Sequence, residues 1–502
     1  MDTDKEKGIT FQARCLSFYI RVYLRASAVS FLGTSKRNLE VAGKKVLIIG
    51  AARSGIACAK FLKERGAVVA LNDRKPIEEW GPEAVALKSE GVGLIPGDVP
   101  MWLLDQVELV VMSPGVPSKV IPARYAERAG AEVIGEVELA SRYIRGRIVG
   151  ITGSNGKTTT TTLIGEILKD AGLPVQVGGN IGTALISMVE TSRDDGWTVV
   201  ELSSFQLETI VDFHPTVALC LNVTPNHMDR YETLMDYAAA KHRIFRNQTA
   251  GDVAILNADD EIVSSWTKGL RAHVTPFSVR RELDEGLFLR NGREIVSRTG
   301  SGERVLMMQH EMQLRGLHNV ENVLAALAAG LACGAAPDSM RETVKNFKPV
   351  EHRLEFVEEI NGVKFYNDSK ATSVDATLKA LEAFADEEGK VVLILGGRGK
   401  QAPYAPLASL IGSRVRRLIT IGEDADTIEK ELKDVALMER AADMTDAVRR
   451  AHESAEVGDI VLLAPACASF DMFKSFEHRG EVFKSEVAGL KFKVSGSSNL
   501  KP

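Results

Sequence analysis

The chain has 502 residues, 45% of them hydrophobic and 26% charged, an ordinary globular composition with room for about two to four domains. Its formal net charge of −5 supplies no basic field, which excludes nucleic acid as the main partner. The five cysteines, Cys15, Cys58, Cys220, Cys333 and Cys467, have no Cys-x-x-Cys spacing; this excludes a disulfide framework and a zinc site and fits a reducing cytoplasm.

Residues 1–40 stand apart. Leu16 to Leu32 is largely apolar but carries Arg21 and Arg25, too short and too charged for a membrane span, so no stable membrane insertion is expected. From Arg14 to Arg37 there are basic residues and no acidic ones. An interfacial helix, a targeting segment and a start assigned too far upstream all fit. The last is favoured, because a start near Leu39 leads straight through Glu-Val-Ala-Gly-Lys-Lys into the first strand. A disordered tail is the expectation in each case.

The first domain, 41–145, opens with the strand and glycine turn Lys45-Val-Leu-Ile-Ile-Gly-Ala-Ala-Arg-Ser-Gly55, then an alanine-rich helix to Glu64. A second strand, Ala67 to Leu71, ends at Asp73 and Arg74. The acid lies about 20 residues past the first glycine, as in a dinucleotide-binding unit. Ala52 stands where the second glycine of that fingerprint belongs, so a Rossmann-like domain for another nucleotide is the better reading. Leu109 to Met112 is a buried strand running into Ser-Pro-Gly-Val-Pro117. Gly135-Glu-Val-Glu starts a helix leading to the next domain.

The central domain, 146–345, is organised around Gly150 to Thr159, Gly-Ile-Thr-Gly-Ser-Asn-Gly-Lys-Thr-Thr. A β-branched strand precedes it and a helical pattern follows. Gly153, Ser154, Asn155 and Gly156 form a loop whose backbone N–H groups face an anion at a helix N-terminus. Lys157 reaches a terminal phosphate, and the Thr158 and Thr159 hydroxyls lie beside it, Thr158 suited to Mg²⁺. Ile151 occupies the first glycine position of the usual phosphate loop, so the pattern is shortened. Gly178 to Gly182 is a second glycine-rich turn. The strand Trp197-Thr-Val-Val-Glu201 ends in a carboxylate, as Mg²⁺ bound to ATP requires. Val217 to Leu221 is another buried strand, running into Asn226-His-Met-Asp-Arg-Tyr231, which makes His227 a candidate ligand for a second metal ion. Lys241 lies on the helix Tyr237 to Phe245, where composition alone reads it as a solvated lysine. His318 begins an amphipathic helix whose Asn319 and Asn322 are candidate base contacts.

The third domain, 346–502, starts near Pro349. Strands at Lys364 to Tyr366, Val391 to Leu395, Arg417 to Ile421 and Asp459 to Leu463 alternate with helices, which gives a parallel sheet covered on both faces. Asp368, Lys370, Thr372, Lys400 and Ser469 collect at the strands' C-terminal ends, the edge where such sheets bind ligands.

Gly-Ser-Asn-Gly-Lys-Thr, Glu-Leu-Ser-Ser-Phe-Gln-Leu-Glu, Asn-His-Met-Asp-Arg-Tyr, His-Arg-Leu-Glu, Asn-Asp-Ser-Lys-Ala-Thr and Ser469-Phe-Asp-Met-Phe-Lys-Ser-Phe-Glu-His-Arg-Gly480, in this order, resemble the Mur ligases. The similarity runs from about Val41 to the C-terminal region and is strongest to the branch that adds D-glutamate. It implies an α/β chain of three domains: a Rossmann-like N-terminal domain for the UDP-linked substrate, a central P-loop ATPase-like parallel sheet, and a C-terminal Rossmann-like α/β domain for the amino acid. It implies ATP-dependent ligation of D-glutamate to UDP-N-acetylmuramoyl-L-alanine through an acyl phosphate, in cytoplasmic peptidoglycan precursor synthesis and hence cell shape and division. The alternatives are a sister Mur ligase or a folylpolyglutamate-type ligase with another amine acceptor. A NAD-dependent oxidoreductase would need the intact first fingerprint.

Carried over by position, the resemblance assigns Lys157 and Thr158 to the phosphates and one Mg²⁺, Glu201 to the same ion and His227 to a second. Lys241 matches the family lysine that CO₂ converts to a carbamate, an anionic metal ligand. Asn322, Arg353 and Asp368 match adenine, phosphate and ribose contacts. Thr372, Lys400, Ser469 and Phe476 match the D-glutamate pocket. Ser54, Asp73, Arg74 and Asn180 match the UDP–sugar side, where Arg53 stands in place of a neutral residue. A monomer is implied, as is domain closure on ATP.

Overall fold

The computed structural model describes residues 39–498 apart from 118–119, 181, 229, 301, 315, 349–350, 385–386 and 401. The basic leader, residues 1–38, and the expectation of a disordered tail there lie outside the described residues. Three sheets follow one another along the chain.

The first contains β1 (Lys45–Ile49), β2 (Val68–Asp73), β3 (Gly93–Pro96), β4 (Leu109–Met112) and β5 (Glu132–Gly135), in the order β3-β2-β1-β4-β5. All are parallel. Leu109 to Met112 is buried along its whole length, as a strand covered on both faces must be. Helix α1 (Arg53–Glu64) leaves the first glycine turn. A Cβ on Gly55 would lie 1.9 Å from the Gly50 carbonyl oxygen, so this glycine is needed for close helix–strand packing. Ala52 is the N-cap, in extended backbone at φ −91°, a conformation open to any residue, which is why its side chain is tolerated. Helix α2 (Glu136–Ser141) follows β5 directly.

The second sheet contains β6 (Arg147–Thr152), β7 (Val175–Gly179), β8 (Trp197–Glu201), β9 (Val217–Cys220), β10 (Val253–Asn257), β11 (His273–Ser278), β12 (Gly286–Arg290), β13 (Glu294–Thr299) and β14 (Gly302–Met308). Their order is β14-β13-β12-β11-β10-β9-β6-β8-β7. β13 and β14 are antiparallel additions at one edge; the other pairings are parallel. Helices α3 (Lys157–Asp170), α4 (Leu234–His242) and α5 (Leu317–Cys333) belong to this unit. Leu163, Ile164 and Ile167 of α3 share a buried cluster with Val320, Val323 and Leu327 of α5, so α5 braces the helix that begins at the phosphate loop.

The third sheet contains β15 (Glu355–Ile360), β16 (Val363–Asn367), β17 (Val391–Gly396), β18 (Val415–Ile421), β19 (Met438–Arg440) and β20 (Ile460–Leu463), in the order β15-β16-β20-β17-β18-β19. Only the β15–β16 hairpin is antiparallel. Helix α6 (Val374–Glu382) follows the turn after β16, and α7 (Phe476–Ser498) follows the turn after β20. Among the described residues no helix is long and apolar enough to cross a membrane.

Candidate active site

β6 delivers the chain to Gly153 (φ +154°), and Gly156 (φ +80°) caps α3 in left-handed backbone. A Cβ on Gly156 would stand 2.1 Å from Asn322 Oδ1, so both conformation and space require glycine there. The loop is fastened to the end of β9. Ser154 N–H donates to the Asn222 carbonyl at 2.9 Å, Ser154 Oγ donates to the Thr224 carbonyl at 3.0 Å, and Asn155 N–H donates to Asn222 Oδ1 at 2.8 Å. The first N–H groups of α3 are thereby held at a positive helix end, ready for an anion.

Three carried-over groups converge on this loop. Lys157 Nζ donates to the Gly153 and Ser154 carbonyls, each at 2.8 Å, and Lys241 Nζ donates to the same Gly153 carbonyl at 2.8 Å. Thr158 Oγ1 donates to Glu201 Oε2 at 2.9 Å. Lys241 is 1% exposed, which corrects its reading by composition as a solvated helix lysine: α4 turns it inward over the Tyr237 ring, 4.2 Å from the ring centre. Burial holds Lys241 down to about 8; burial and the neighbouring Lys241 charge do the same to Lys157, against the opposing pull of Tyr237 and Glu201. His227 lies in left-handed backbone at φ +58°, with its ring 4.9 Å from Phe205 and 6.4 Å from Tyr237. It thus joins the cluster through the ring that Lys241 faces.

The third domain supplies the opposite wall. Arg353 donates to Thr158 Oγ1 at 3.3 Å. It is flanked by His352 (φ +63°) and Leu354 (φ +41°), left-handed positions that cost a non-glycine residue about 1 kcal/mol or more each. Buried Asp368 is pushed up to about 7 by burial, against the Arg353 charge and a Leu354 backbone bond. Burial lowers Lys370 to about 8, helped by Arg353, and its Nζ sits 3.6 Å over the Phe476 ring. A cavity between the two domains is lined by Asn155, Gly156, Asn322, Arg353, Asp368 and Lys379, among others. Lysines and arginines outnumber carboxylates around it, an arrangement suited to a polyanion.

Beyond Lys370, Lys400 Nζ donates to Thr372 Oγ1 at 3.4 Å. Ser469 is 2% exposed on the turn where Arg398 and Ala468 exchange backbone bonds at 2.9 Å. The Phe476 carbonyl accepts from Ser369 Oγ at 2.8 Å. On the first domain, Asp73 Oδ2 accepts the Ala51 N–H at 2.9 Å, and Arg53, Ser54 and Arg74 lie about the same strand ends. Asn180 is placed elsewhere: its Nδ2 donates to Glu201 Oε1 at 2.9 Å, so it adjoins the phosphate-loop carboxylate. Asn322 holds Asn319 and Thr160 at 3.0 and 3.3 Å, beneath the loop at the cavity wall.

Residue-by-residue reading missed Asp375, whose carboxylate accepts from Asn155 Nδ2 and from Thr224 Oγ1, the latter at 3.1 Å. It links α6 to the phosphate loop of another domain, a contact without any local signal. It also missed Arg479, 1% exposed, which donates to Ser369 Oγ, Ser369 O and Cys467 O at 3.0, 2.9 and 3.1 Å.

Three family models match: "Mur ligase MurD-like, N-terminal domain" over residues 44–135, "Mur ligase middle domain" over 151–330, and "Mur ligase, glutamate ligase domain" over 352–467. The chain belongs to the Mur ligase family, whose members are ATP-dependent ligases. Relatives from Koribacter versatilis and Solibacter usitatus, 47% and 48% identical, bear the name UDP-N-acetylmuramoylalanine–D-glutamate ligase. The alignments cover 89% and 90% of this chain, and 98% and 99% of those proteins. The fold is shared with the MurF ligase of Thermotoga maritima solved in complex with ADP, at TM-score 0.58 and 17% identity, over 90% of this chain and 97% of that one. It is shared likewise with a pseudomurein peptide ligase type C from Methanothermus fervidus, at TM-score 0.57 and 19% identity, over 88% and 100%.

Proposed function

We propose that this ligase joins D-glutamate to UDP-N-acetylmuramoyl-L-alanine at the expense of ATP. The observation that carries the reading is the Thr158 hydroxyl held between Glu201 of the central domain and Arg353 of the third. The name borne by the relatives directs it to this acceptor and this amino acid. The proposed division is 41–145 for the UDP end of the substrate, 146–345 for ATP and 346–502 for D-glutamate.

The loop N–H groups and Lys157 hold the β- and γ-phosphates, with Asn322, Arg353 and Asp368 on the rest of ATP. Thr158 and Glu201 would hold one Mg²⁺, and His227 with a carbamate on Lys241 a second, oxygen-rich donor sets that fit this ion. Bound there, the metal neutralises charge on the transferring phosphoryl and on the carboxylate it joins. The alanyl carboxylate oxygen attacks the γ-phosphorus as the bond to ADP breaks, giving an acyl phosphate. The D-glutamate amine then attacks the acyl carbon, the C–O bond to phosphate breaks, and the amine proton is lost. Lys400 with Thr372 and Ser469 matches a dicarboxylate, and Phe476 closes that pocket. Cytoplasmic location and a monomeric state belong to the same proposal.

The test is phosphate release from ATP with UDP-N-acetylmuramoyl-L-alanine, offering D-glutamate, L-glutamate, meso-diaminopimelate and L-lysine in parallel. Release that requires D-glutamate supports the reading. Release with another amine moves the chain to a sister activity, and no release with any of them, at added Mg²⁺ and bicarbonate, overturns it.

A further inference from the structure

Gly135-Glu-Val-Glu takes no part in the chemistry above, yet both its carboxyl groups are buried, Glu136 at 2% and Glu138 at 0% exposure. By sequence they belong to the first domain; their donors lie mostly in the central one. Glu136 Oε1 accepts the Ile186 N–H at 2.8 Å, and the Leu185 backbone also bonds this carboxyl. Glu138 Oε2 accepts three successive N–H groups, from Val211, Asp212 and Phe213, at 2.8, 3.0 and 2.9 Å. Its Oε1 accepts from Arg142 Nε at 2.9 Å. Gly135 closes the same seam: its N–H donates to the Thr209 carbonyl at 3.3 Å, and a Cβ there would meet Thr209 Oγ1 at 2.1 Å.

A buried carboxyl needs donors, and consecutive N–H groups supply them in fixed geometry. These donors are not scattered. Leu185 and Ile186 follow the glycine turn whose Asn180 holds Glu201. Val211 to Phe213 follow the capped helix Ser204–Leu207 that leaves Glu201 on the other side. Beneath both, one apolar cluster runs from Ile48, Leu62 and Val111 to Leu185, Leu207 and Phe213. The third domain's clusters contain only third-domain residues.

We propose that Glu136 and Glu138 are positioning residues that bolt the first domain to the central domain, so that the UDP end and the reacting carboxyl of one substrate are held at a fixed span. The third domain is left as the part that moves. The consequence for the substrate rests on the ligase reading; the bolting itself does not.

Two measurements on the full chain separate these. Spin labels at Glu90→Cys and Lys268→Cys, with Cys15→Ser, report the spacing of the two domains in native, Glu138→Gln and Glu136→Ala backgrounds. The amide introduced by Glu138→Gln would turn an NH₂ group toward N–H donors or toward Arg142. A narrow native distance distribution that broadens in the variants is expected; an unchanged distribution in both overturns the bolt, whatever the substrate. Steady-state kinetics should then show KM for UDP-N-acetylmuramoyl-L-alanine raised about 10-fold or more, with KM for ATP and D-glutamate changed less than about two-fold. A lowered melting temperature without that split marks a purely structural role and overturns the positioning claim. No turnover by the native protein overturns the ligase reading alone. Should Glu138→Gln fail to fold, Glu136→Ala carries the same comparison.

Discussion

The Arg353 guanidinium crosses from the third domain to donate to the Thr158 hydroxyl at 3.3 Å, and that hydroxyl donates onward to Glu201. A fixed cation at this point meets charge as it develops on the transferring phosphoryl. Arg353→Ala is expected to lower kcat by about 10²–10³-fold, roughly 3–4 kcal/mol. KM for the UDP-linked substrate should hardly change, because its nucleotide is assigned to another domain. Lysine should restore little, since it lacks the planar fork. Steady-state kinetics decide this, and an unaltered kcat would remove Arg353 from the chemistry.

Gly156 has left-handed backbone and no room for a Cβ beside Asn322. Gly156→Ala should weaken ATP binding at least about 10-fold and lower stability by about 1 kcal/mol or more. Calorimetric titration with a non-hydrolysable ATP analogue measures the first effect and chemical denaturation the second.

If Lys241 carries a carbamate, activity depends on dissolved CO₂. Assays in degassed, bicarbonate-free buffer should run several-fold slower and recover on adding bicarbonate, while Lys241→Ala stays inactive under both conditions. A native rate indifferent to bicarbonate would rule the carbamate out.

Glu136 is pushed up to about 7 by burial, against two backbone bonds and the Arg53 charge. A carboxyl whose folded value exceeds its unfolded value favours the fold while protonated. That contribution is complete below about 4.5 and is lost as pH rises through about 7, up to about 3 kcal/mol by linkage. The stability of Glu136→Gln relative to the native protein should therefore rise between pH 5 and pH 8, as read from thermal midpoints at each pH. A constant difference would contradict the raised value.

Lys400 and Thr372 meet at 3.4 Å. Lys400→Ala should raise KM for D-glutamate by about 10²-fold, leaving KM for ATP within about two-fold, because the lost contact is a charge-assisted one to a substrate carboxylate. Equal changes in both constants would place Lys400 outside the amino-acid pocket.

The phosphate loop, the strand ending at Glu201 and the alternation of strands with helices were legible because each is encoded within about ten to twenty neighbouring residues. A glycine that must adopt φ +80° announces itself, and so does a wholly apolar strand. Lys241 was not legible from composition. On α4 it looks like any helix lysine, and only the packing of α4 against the loop turns it toward Gly153. The antiparallel edge β13–β14 was missed as well, because short alternating strands carry a weak local pattern.

By itself the sequence determined the three α/β units, the anion-binding loop and the residue types available to the chemistry, since these depend on local conformation and on matched motifs. Tertiary structure alone decided which of those residues meet. It brought Arg353 to Thr158 across 195 positions of chain and placed Asn180 on Glu201. It set Asp375 against Asn155 and buried Glu136 and Glu138 in the seam between two domains. Such pairings arise from how separate sheets pack, and the free energy that selects them is spread over interfaces that no short stretch of sequence contains.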